Sequence, residues 1–153
     1  MTEEKRTPRV VFAGLASCFG CQINITNIEQ HLMEVLGQID LLYWQLTSSE
    51  PMPEHYDVAV IEGAVATEEA EATVRKLREG AKSVITIGAC AATAGIPGMS
   101  ADDHAADLAT VYGDTVPAMV AQGATSPRAV KDIIPVDLEV SCCPIDPYDF
   151  VEV

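Results

Sequence analysis

The sequence predicts an α/β domain built on a doubly wound parallel sheet, and two observations carry that prediction. Short, nearly continuous apolar runs recur along the chain, as in residues 9–14, 57–63 and 82–90. Stretches with apolar residues at helical spacing lie between these runs. Continuous apolar strands separated by helices are typical of a parallel sheet that is covered on both faces. We expect residues 1–153 to form a single domain of this kind.

The first part of the chain contains three predicted strands, at residues 9–14, 39–46 and 57–63. Between the first two strands we expect one helix from residue 22 to about 36, ended by Gly37. Its apolar face is formed by Ile25, Ile28, Leu32 and Leu36. The predicted elements of this part of the chain therefore follow one another as strand, helix, strand and strand.

The second part begins with a helix that Thr67 can cap and that continues to about Glu79. A buried strand over residues 82–90 follows, and residues 135–143 form the last strand. Two further helices are expected between these strands. Ser100 and Asp103 predict one that ends near Val111, while Ser126 and Pro127 predict a short one that ends near Ile133. This alternation favours a flavodoxin-like arrangement.

The charge of the chain excludes several classes of function. With 23 acidic and 9 basic residues the net charge is −14, which repels phosphate backbones and makes a nucleic-acid partner unexpected. The apolar runs are too short for a membrane helix, so we expect no direct membrane insertion. The first residues are polar and lack a signal core, which predicts a cytoplasmic protein.

Five cysteines are placed unevenly, at the predicted carboxyl ends of three strands. Cys18 and Cys21 follow the first strand, Cys90 ends another, and Cys142 and Cys143 end the last. Ligand sites of open α/β sheets lie beyond the carboxyl ends of the strands. We therefore expect these thiols to meet at one edge of the sheet.

The spacing of the cysteines is compatible with a redox pair, a zinc site or an iron–sulfur cluster. Structural zinc sites favour two close pairs of ligands, whereas this chain has one Cys-x-x-Cys pair followed by separate cysteines. A cluster accepts ligands from distant loops and is favoured. A thioredoxin-like pair needs neither Cys90 nor Cys143. A flavodoxin that binds flavin mononucleotide is the alternative binding module, but the loop after its first strand would hold hydroxyl groups rather than two cysteines.

Four segments of the chain resemble the small subunit of nickel–iron hydrogenases and its relative, the cluster-carrying subunit of respiratory complex I. They are "LASCFGCQ", "IEGAV", "IGACAATAGIPG" and "CCPID", and the resemblance extends from about residue 10 to residue 147. It implies a flavodoxin-like domain that holds one 4Fe–4S cluster against a large subunit. The implied ligands are Cys18, Cys21, Cys90 and Cys143.

Two positions separate the possible relatives. The complex I subunit typically has adjacent cysteines in its first motif, whereas the Cys-x-x-Cys spacing here is hydrogenase-like. Hydrogenases usually have Gly-Cys-Pro in the last motif, and Cys142 occupies the glycine position. Cys143 precedes Pro144 as the family ligand does, and we interpret Cys142 as a buried thiol beside the cluster. Glu62 ends a predicted strand near the same edge, where a carboxylate either tunes the site or relays protons, or else serves a helix entry or an interface. The resemblance, whose motif has a glutamate here, favours the functional role.

The resemblance implies an electron-transfer subunit without a catalytic centre of its own. Its partners would be a hydrogenase large subunit with a nickel–iron centre and a soluble iron–sulfur or flavin module that uses NAD(P) or ferredoxin. No cysteine follows Cys143, so one cluster is expected, as in soluble bidirectional hydrogenases. The alternatives within the family are a complex I-like subunit and a membrane-bound hydrogen-evolving complex.

Overall fold

A computed structural model describes residues 6–29, 31–99, 104–115 and 123–153. Five parallel strands form the main sheet: β1 (Arg9–Gly14), β2 (Asp40–Trp44), β3 (Tyr56–Glu62), β5 (Ala81–Ile87) and β7 (Leu138–Val140). They lie side by side in the order β2-β1-β3-β5-β7. This is the order of flavodoxin-like folds, which confirms the predicted fold class.

Six helices and a second, two-stranded sheet complete the described architecture. The helices are α1 (Gly20–Thr26), α2 (Leu32–Gln38), α3 (Glu68–Gly80), α4 (Gly88–Thr93), α5 (His104–Tyr112) and α6 (Pro147–Val151). The small sheet pairs β4 (Val65–Thr67) with β6 (Ala124–Arg128) in antiparallel orientation. Short 3₁₀ turns cover Pro97–Met99, Gly113–Thr115 and Val130–Asp132.

The strands of the main sheet bury both of their faces because alternate side chains point to opposite sides. On one face, Val11, Ile61 and Val84 pack against Val74 and Leu77 of α3. On the other face a second apolar cluster joins the sheet to α1 and α6; its buried members include Phe12, Val60, Ile87, Ile25 and Ile145. Helices on both faces explain why the strands are continuously apolar in sequence.

The cap of α3 is formed as the sequence predicts. The hydroxyl of Thr67 accepts a hydrogen bond from the main-chain N–H of Ala70 at 3.0 Å. Glu68, Glu69 and Glu71 lie in the first turn, where acidic side chains interact favourably with the helix dipole. Thr67 thus caps the start of α3, as its position before an amphipathic segment predicts.

Two predicted helices differ from the structure. The single helix expected over residues 22–36 is divided into α1 and α2, because Glu29 adopts a left-handed φ of 29° that an α-helix does not accommodate. The helix expected at Ser126 and Pro127 is wrong, since both residues lie in strand β6. Pairing with β4 outweighs the local helix-start pattern there.

The last strands are shorter than predicted, and one predicted helix start is not described. Strand β5 ends at Ile87 and Cys90 lies in α4 instead of the strand, while β7 covers only part of residues 135–143. The helix expected to end near Val111 corresponds to α5. Its predicted cap at Ser100 and Asp103 lies outside the described residues.

The amino ends of β1, β3 and β5 are joined through Asp57. Its carboxylate accepts a hydrogen bond from the main-chain N–H of Arg9 at 2.9 Å and forms an ion pair with Lys82 at 2.8 Å. The hydrogen bond from Lys82, the N–H of Arg9 and the charges of Lys82 and Arg6 lower the pKa of Asp57 to about 2. The carboxylate therefore stabilises the fold in its charged form.

We predict that Asp57→Asn lowers the free energy of unfolding at pH 7 by about 1 kcal/mol, the upper end expected for an ion pair whose lysine is largely exposed to solvent. Because the folded pKa lies below the unfolded one, this contribution is present above about pH 4 and is lost as the pH falls towards 2. Urea unfolding of both proteins across this range measures it. Asp114→Asn, at an exposed position, is the control, and a difference that does not shrink on acidification contradicts the prediction.

Candidate metal centre

The structure places the cysteines in three loops or helix starts that follow β1, β5 and β7. Cys18 lies in the loop after β1 and Cys21 in the first turn of α1, while Cys90 lies in α4 directly after β5. Cys142 and Cys143 follow β7. Parallel strands end at the same edge, so all these thiols belong to the carboxyl edge of the sheet, as the sequence predicts.

Hydrogen bonds connect the three cysteine-bearing segments to one another. The main-chain N–H of Ala89, in the first turn of α4, donates to the carbonyl oxygen of Cys142 at 2.8 Å. The amide of Asn24 in α1 donates to the carbonyl oxygen of Ile145 at 2.7 Å. The segment after β7 is therefore bound on both sides, which fixes its position relative to Cys21 and Cys90.

Glu62, the last residue of β3, is 2% exposed and holds the start of α1. Its Oε1 accepts the main-chain N–H of Cys21 at 3.1 Å, and its Oε2 accepts that of Gln22 at 3.3 Å. The N-cap residue of α1, Phe19, forms no side-chain cap. The carboxylate of a neighbouring strand thus satisfies two N–H groups that a helix leaves unpaired at its start.

The thiols of the site affect one another electrostatically. Burial raises the pKa of Cys21 to about 11, and the Glu62 carboxylate and the charge of Cys143 add to this rise, although a hydrogen bond from the Ile145 backbone opposes it. The pKa of Cys90 is also raised, first by burial and then by the charges of Cys143, Cys18 and Glu62. These interactions link the four cysteines that the resemblance assigns as ligands.

Cys142 differs from the expected buried thiol. It is exposed, and its backbone has a φ of 140°, a region that favours glycine. The conformation explains why the related hydrogenase motif has glycine at this position. The prediction of a buried Cys142 is wrong because the segment presents its carbonyl oxygen to Ala89 and leaves the side chain towards solvent.

Gly88 provides the space in which Cys21 lies. A Cβ atom at residue 88 would approach the Sγ of Cys21 to 2.5 Å, and the φ of Gly88 is 82°. Gly20 is similarly close to Cys18, with a distance of 3.1 Å from its hypothetical Cβ to Sγ. Both positions make room for cysteine side chains, in agreement with a site where backbone and sulfur approach closely.

Within residues 6–29, 31–99, 104–115 and 123–153, no group of three or more His, Cys, Asp or Glu side chains is arranged to hold a metal ion. The four cysteines are free thiols, of which Cys21 is buried, Cys90 is half-buried, and Cys18 and Cys143 are exposed. Tetrahedral zinc needs sulfur atoms about 2.3 Å from one ion. A 4Fe–4S cluster is held by four cysteine thiolates, and four cysteines besides Cys142 follow strands at this edge of the sheet.

Sequence reasoning missed the polar residues that hold the cysteines in place. Gln22, Asn24 and Trp44 each form a hydrogen bond that fixes α1. The sequence did hold one indication of these contacts. Gln22 directly follows Cys21 and lies three positions before the buried Ile25, so it shares the buried side of the short helix α1. A polar side chain on that face needs a buried partner.

A comparison with known proteins identifies the family. Residues 18–153 match the family described as NADH ubiquinone oxidoreductase, 20 Kd subunit. The chain belongs to this family. Among the described residues, no helix is both long enough and apolar enough to cross a bilayer.

Several proteins to which the chain is similar are hydrogenase subunits. The chain is 28% identical over 147 residues to one subunit of the F420-non-reducing hydrogenase vhu of Methanocaldococcus jannaschii, covering 87% of this chain and 50% of that protein. It is 33% identical over 91 residues to the delta subunit of the NAD-reducing hydrogenase HoxS of Cupriavidus necator, covering 60% of this chain and 44% of that protein. The chain spans about half the length of these curated relatives.

Solved structures agree with these relationships. An NAD+-reducing NiFe-hydrogenase in the H2-reduced state contains a chain with a TM-score of 0.73 and 25% identity, covering 91% of this chain and 84% of that one. A NiFeSe hydrogenase of Desulfovibrio vulgaris Hildenborough shares the fold, with a TM-score of 0.68 at 20% identity over 97% of this chain and 58% of that one. The resemblance to hydrogenase small subunits is therefore confirmed.

We predict that Gly88→Ala destabilises the protein by about 1–3 kcal/mol, because it combines a left-handed backbone with a clash against Cys21. Gly37→Ala is the matched control, since it lies in α2 with nothing within 4 Å of a new Cβ. That change should stabilise the helix by about 0.5–1 kcal/mol. Thermal unfolding of both variants measures the difference, and equal effects would show that Cys21 does not fill this space.

Proposed function

We propose that this chain is the electron-transfer small subunit of a cytoplasmic NiFe hydrogenase. It relays electrons between the nickel–iron centre of a large subunit and a redox module that uses NAD(P) or ferredoxin. The observation that carries the proposal is the set of Cys18, Cys21, Cys90 and Cys143 at one edge of the sheet. The hydrogenase relatives, one of them NAD-reducing, support this assignment.

The residues of the site fit one 4Fe–4S cluster, with Cys18, Cys21, Cys90 and Cys143 as ligands. Cys21 supplies a buried sulfur, and the exposed Cys18 and Cys143 supply sulfurs on the solvent side. Gly88 leaves room for sulfur at the centre of the site. When bound, the cluster would accept and release a single electron.

The protein groups around the site hold the cysteines and set their charge. Glu62 fixes the main chain at Cys21, Ala89 fixes it at Cys142, and Asn24 fixes it at Ile145. A site that is held in this way needs little rearrangement when charge arrives or leaves, which favours rapid electron transfer. In the proposed complex a large subunit would cover the half-buried and exposed thiols.

The chain itself would have no catalytic centre. Activity would arise when a large subunit with a nickel–iron centre docks on the cysteine-bearing edge, and a soluble iron–sulfur or flavin module would complete the path. The second candidate is a complex I-like subunit, which the description of the matched family favours, or a membrane-bound hydrogen-evolving complex. The metal content of the native complex distinguishes the hydrogenase from the complex I-like assembly, since only the hydrogenase contains nickel.

The cluster and the partner are tested together in the complex purified anaerobically from native cells. A tag on this chain should recover a large subunit that contains nickel. Cys143→Ala should remove about four irons and their acid-labile sulfide per chain relative to the unmodified complex. Cys142→Ala is the matched control, since it changes the adjacent thiol and should leave the iron content unaltered.

Three other results would each reject a different part of this proposal. Zinc in place of iron and acid-labile sulfide would reject the cluster. An exchange of results between the two cysteine variants would make Cys142 the ligand. A complex without nickel that reduces quinone would replace the hydrogenase assignment with the complex I-like one.

Glu62 is proposed as a residue that tunes the cluster. Burial is the main cause of the raised pKa of Cys21 and Cys90, and the buried carboxylate of Glu62 adds to both, so its negative charge acts on two of the proposed ligands. Negative charge disfavours the addition of an electron, so the cluster should have a low reduction potential. The same carboxylate could relay protons towards the large subunit.

We predict that Glu62→Gln raises the reduction potential of the cluster, because one negative charge is removed near Cys21 while an acceptor for a main-chain N–H is kept. A redox titration followed by electron paramagnetic resonance measures the potential in the whole complex, and hydrogen-uptake assays measure turnover. A decrease in turnover would support a proton relay. An unchanged potential together with unchanged turnover would leave Glu62 with the structural role of capping α1.

A further inference from the structure

We propose that Gln22 is a positioning residue for Cys21, and that it acts through a hydrogen bond from the indole of Trp44. The inference rests on the proposed function, because Cys21 is there assigned as a cluster ligand. It assigns a role to two residues that lie outside the ligand set. The juxtaposition on which it depends is a buried glutamine held at its main chain by β3 and at its side chain by β2.

Helix α1 cannot hold its own position. It has seven residues, fewer than an isolated helix needs for stability in water. Its N-cap residue, Phe19, has a left-handed φ of 59° and makes no side-chain cap. The orientation of Cys21 within the first turn is therefore determined by contacts from other elements.

Two such contacts meet at Gln22. Its main-chain N–H donates to Glu62 at 3.3 Å, and its Oε1 accepts a hydrogen bond from the Nε1 of Trp44 at 2.7 Å. Gln22 is fully buried. The first contact ties the main chain of the residue after Cys21 to β3, and the second ties its side chain to β2, so the first turn of α1 is held at two points.

Trp44 is a rigid donor for this bond. Its ring is stacked on that of Phe12, with centroids 4.8 Å apart and planes at 24°. Its main-chain N–H donates to the hydroxyl of Ser48 at 2.9 Å, and it is 5% exposed. Because β2 pairs with β1, the indole is fixed to the same sheet that carries Glu62.

The Nε2 atom of Gln22 indicates that this side chain does more than stabilise the fold. Among the described residues, its Nε2 is buried without a hydrogen-bond partner. A buried amide with an unsatisfied N–H costs stability, and a pair of apolar side chains at residues 22 and 44 would fill the same space without leaving a polar group unpaired. The polar group is therefore explained by the single directional bond that it accepts from Trp44.

The test uses the intact complex with its cluster. Trp44→Phe keeps an aromatic ring to stack on Phe12 and removes the N–H donor, while Gln22→Met keeps the length of the side chain and removes the acceptor. Tyr43→Phe is the matched control, since it removes a hydroxyl from the residue that precedes Trp44 in β2 and leaves the bond between Trp44 and Gln22 intact. The three variants and the double variant of Gln22 and Trp44 are compared with the unmodified complex.

The readouts are the electron paramagnetic resonance line shape and midpoint potential of the cluster, and the rate at which iron is lost to a chelator. We expect both single variants to change the line shape, to shift the potential in the same direction and to lose iron several-fold faster. The double variant should add nothing further, because both changes break the same bond. Tyr43→Phe should leave all three quantities unchanged.

Other outcomes overturn the inference. A lower melting temperature with an unaltered line shape, potential and iron loss would restrict the bond to stability. Failure of both single variants to yield a complex would assign it to folding, and additive effects in the double variant would show that the two residues act separately. If the unmodified complex contains no acid-labile sulfide, the proposed function fails first and this inference fails with it.

Discussion

The arrangement of the site depends on the hydrogen bonds that the buried carboxylate of Glu62 accepts from the start of α1. Glu62 ends β3, at the centre of the sheet, and accepts the N–H groups of Cys21 and Gln22 from a helix that has no cap of its own. A carboxylate that is 2% exposed is costly unless hydrogen bonds compensate for lost water. The strand and the helix start are consequently coupled, and neither can move without leaving a charge unsatisfied.

The fold was largely predictable because its signals are local. Apolar runs identify the central strands, and Thr67 marks the start of α3 before a long amphipathic segment. The position of the cysteines after strands then follows from the geometry of parallel sheets. The same reasoning assigned Ser126 and Pro127 to a helix, since nothing nearby in sequence indicates that β4 offers them a partner strand.

The details of the site were less predictable because they depend on contacts between distant residues. Trp44 and Gln22 are 22 positions apart, and Asn24 bonds to a carbonyl 121 positions away. No local pattern predicts the φ of Cys142 either, because it results from the course of the chain between β7 and Ala89. A sequence therefore indicates which residue types gather at the edge, while the long-range bonds decide how they are oriented.

The raised pKa of Cys21 would couple loading of the proposed cluster to the release of a proton. Near neutral pH this thiol holds its proton, because burial and the neighbouring carboxylate disfavour the thiolate. An iron atom of the proposed cluster bound at Cys21 would take the place of that proton, so loading would release it to solvent. For this thiol alone, the apparent affinity falls about tenfold for each pH unit below the pKa. Acidification would accordingly oppose assembly of the centre even where the fold itself is unaffected.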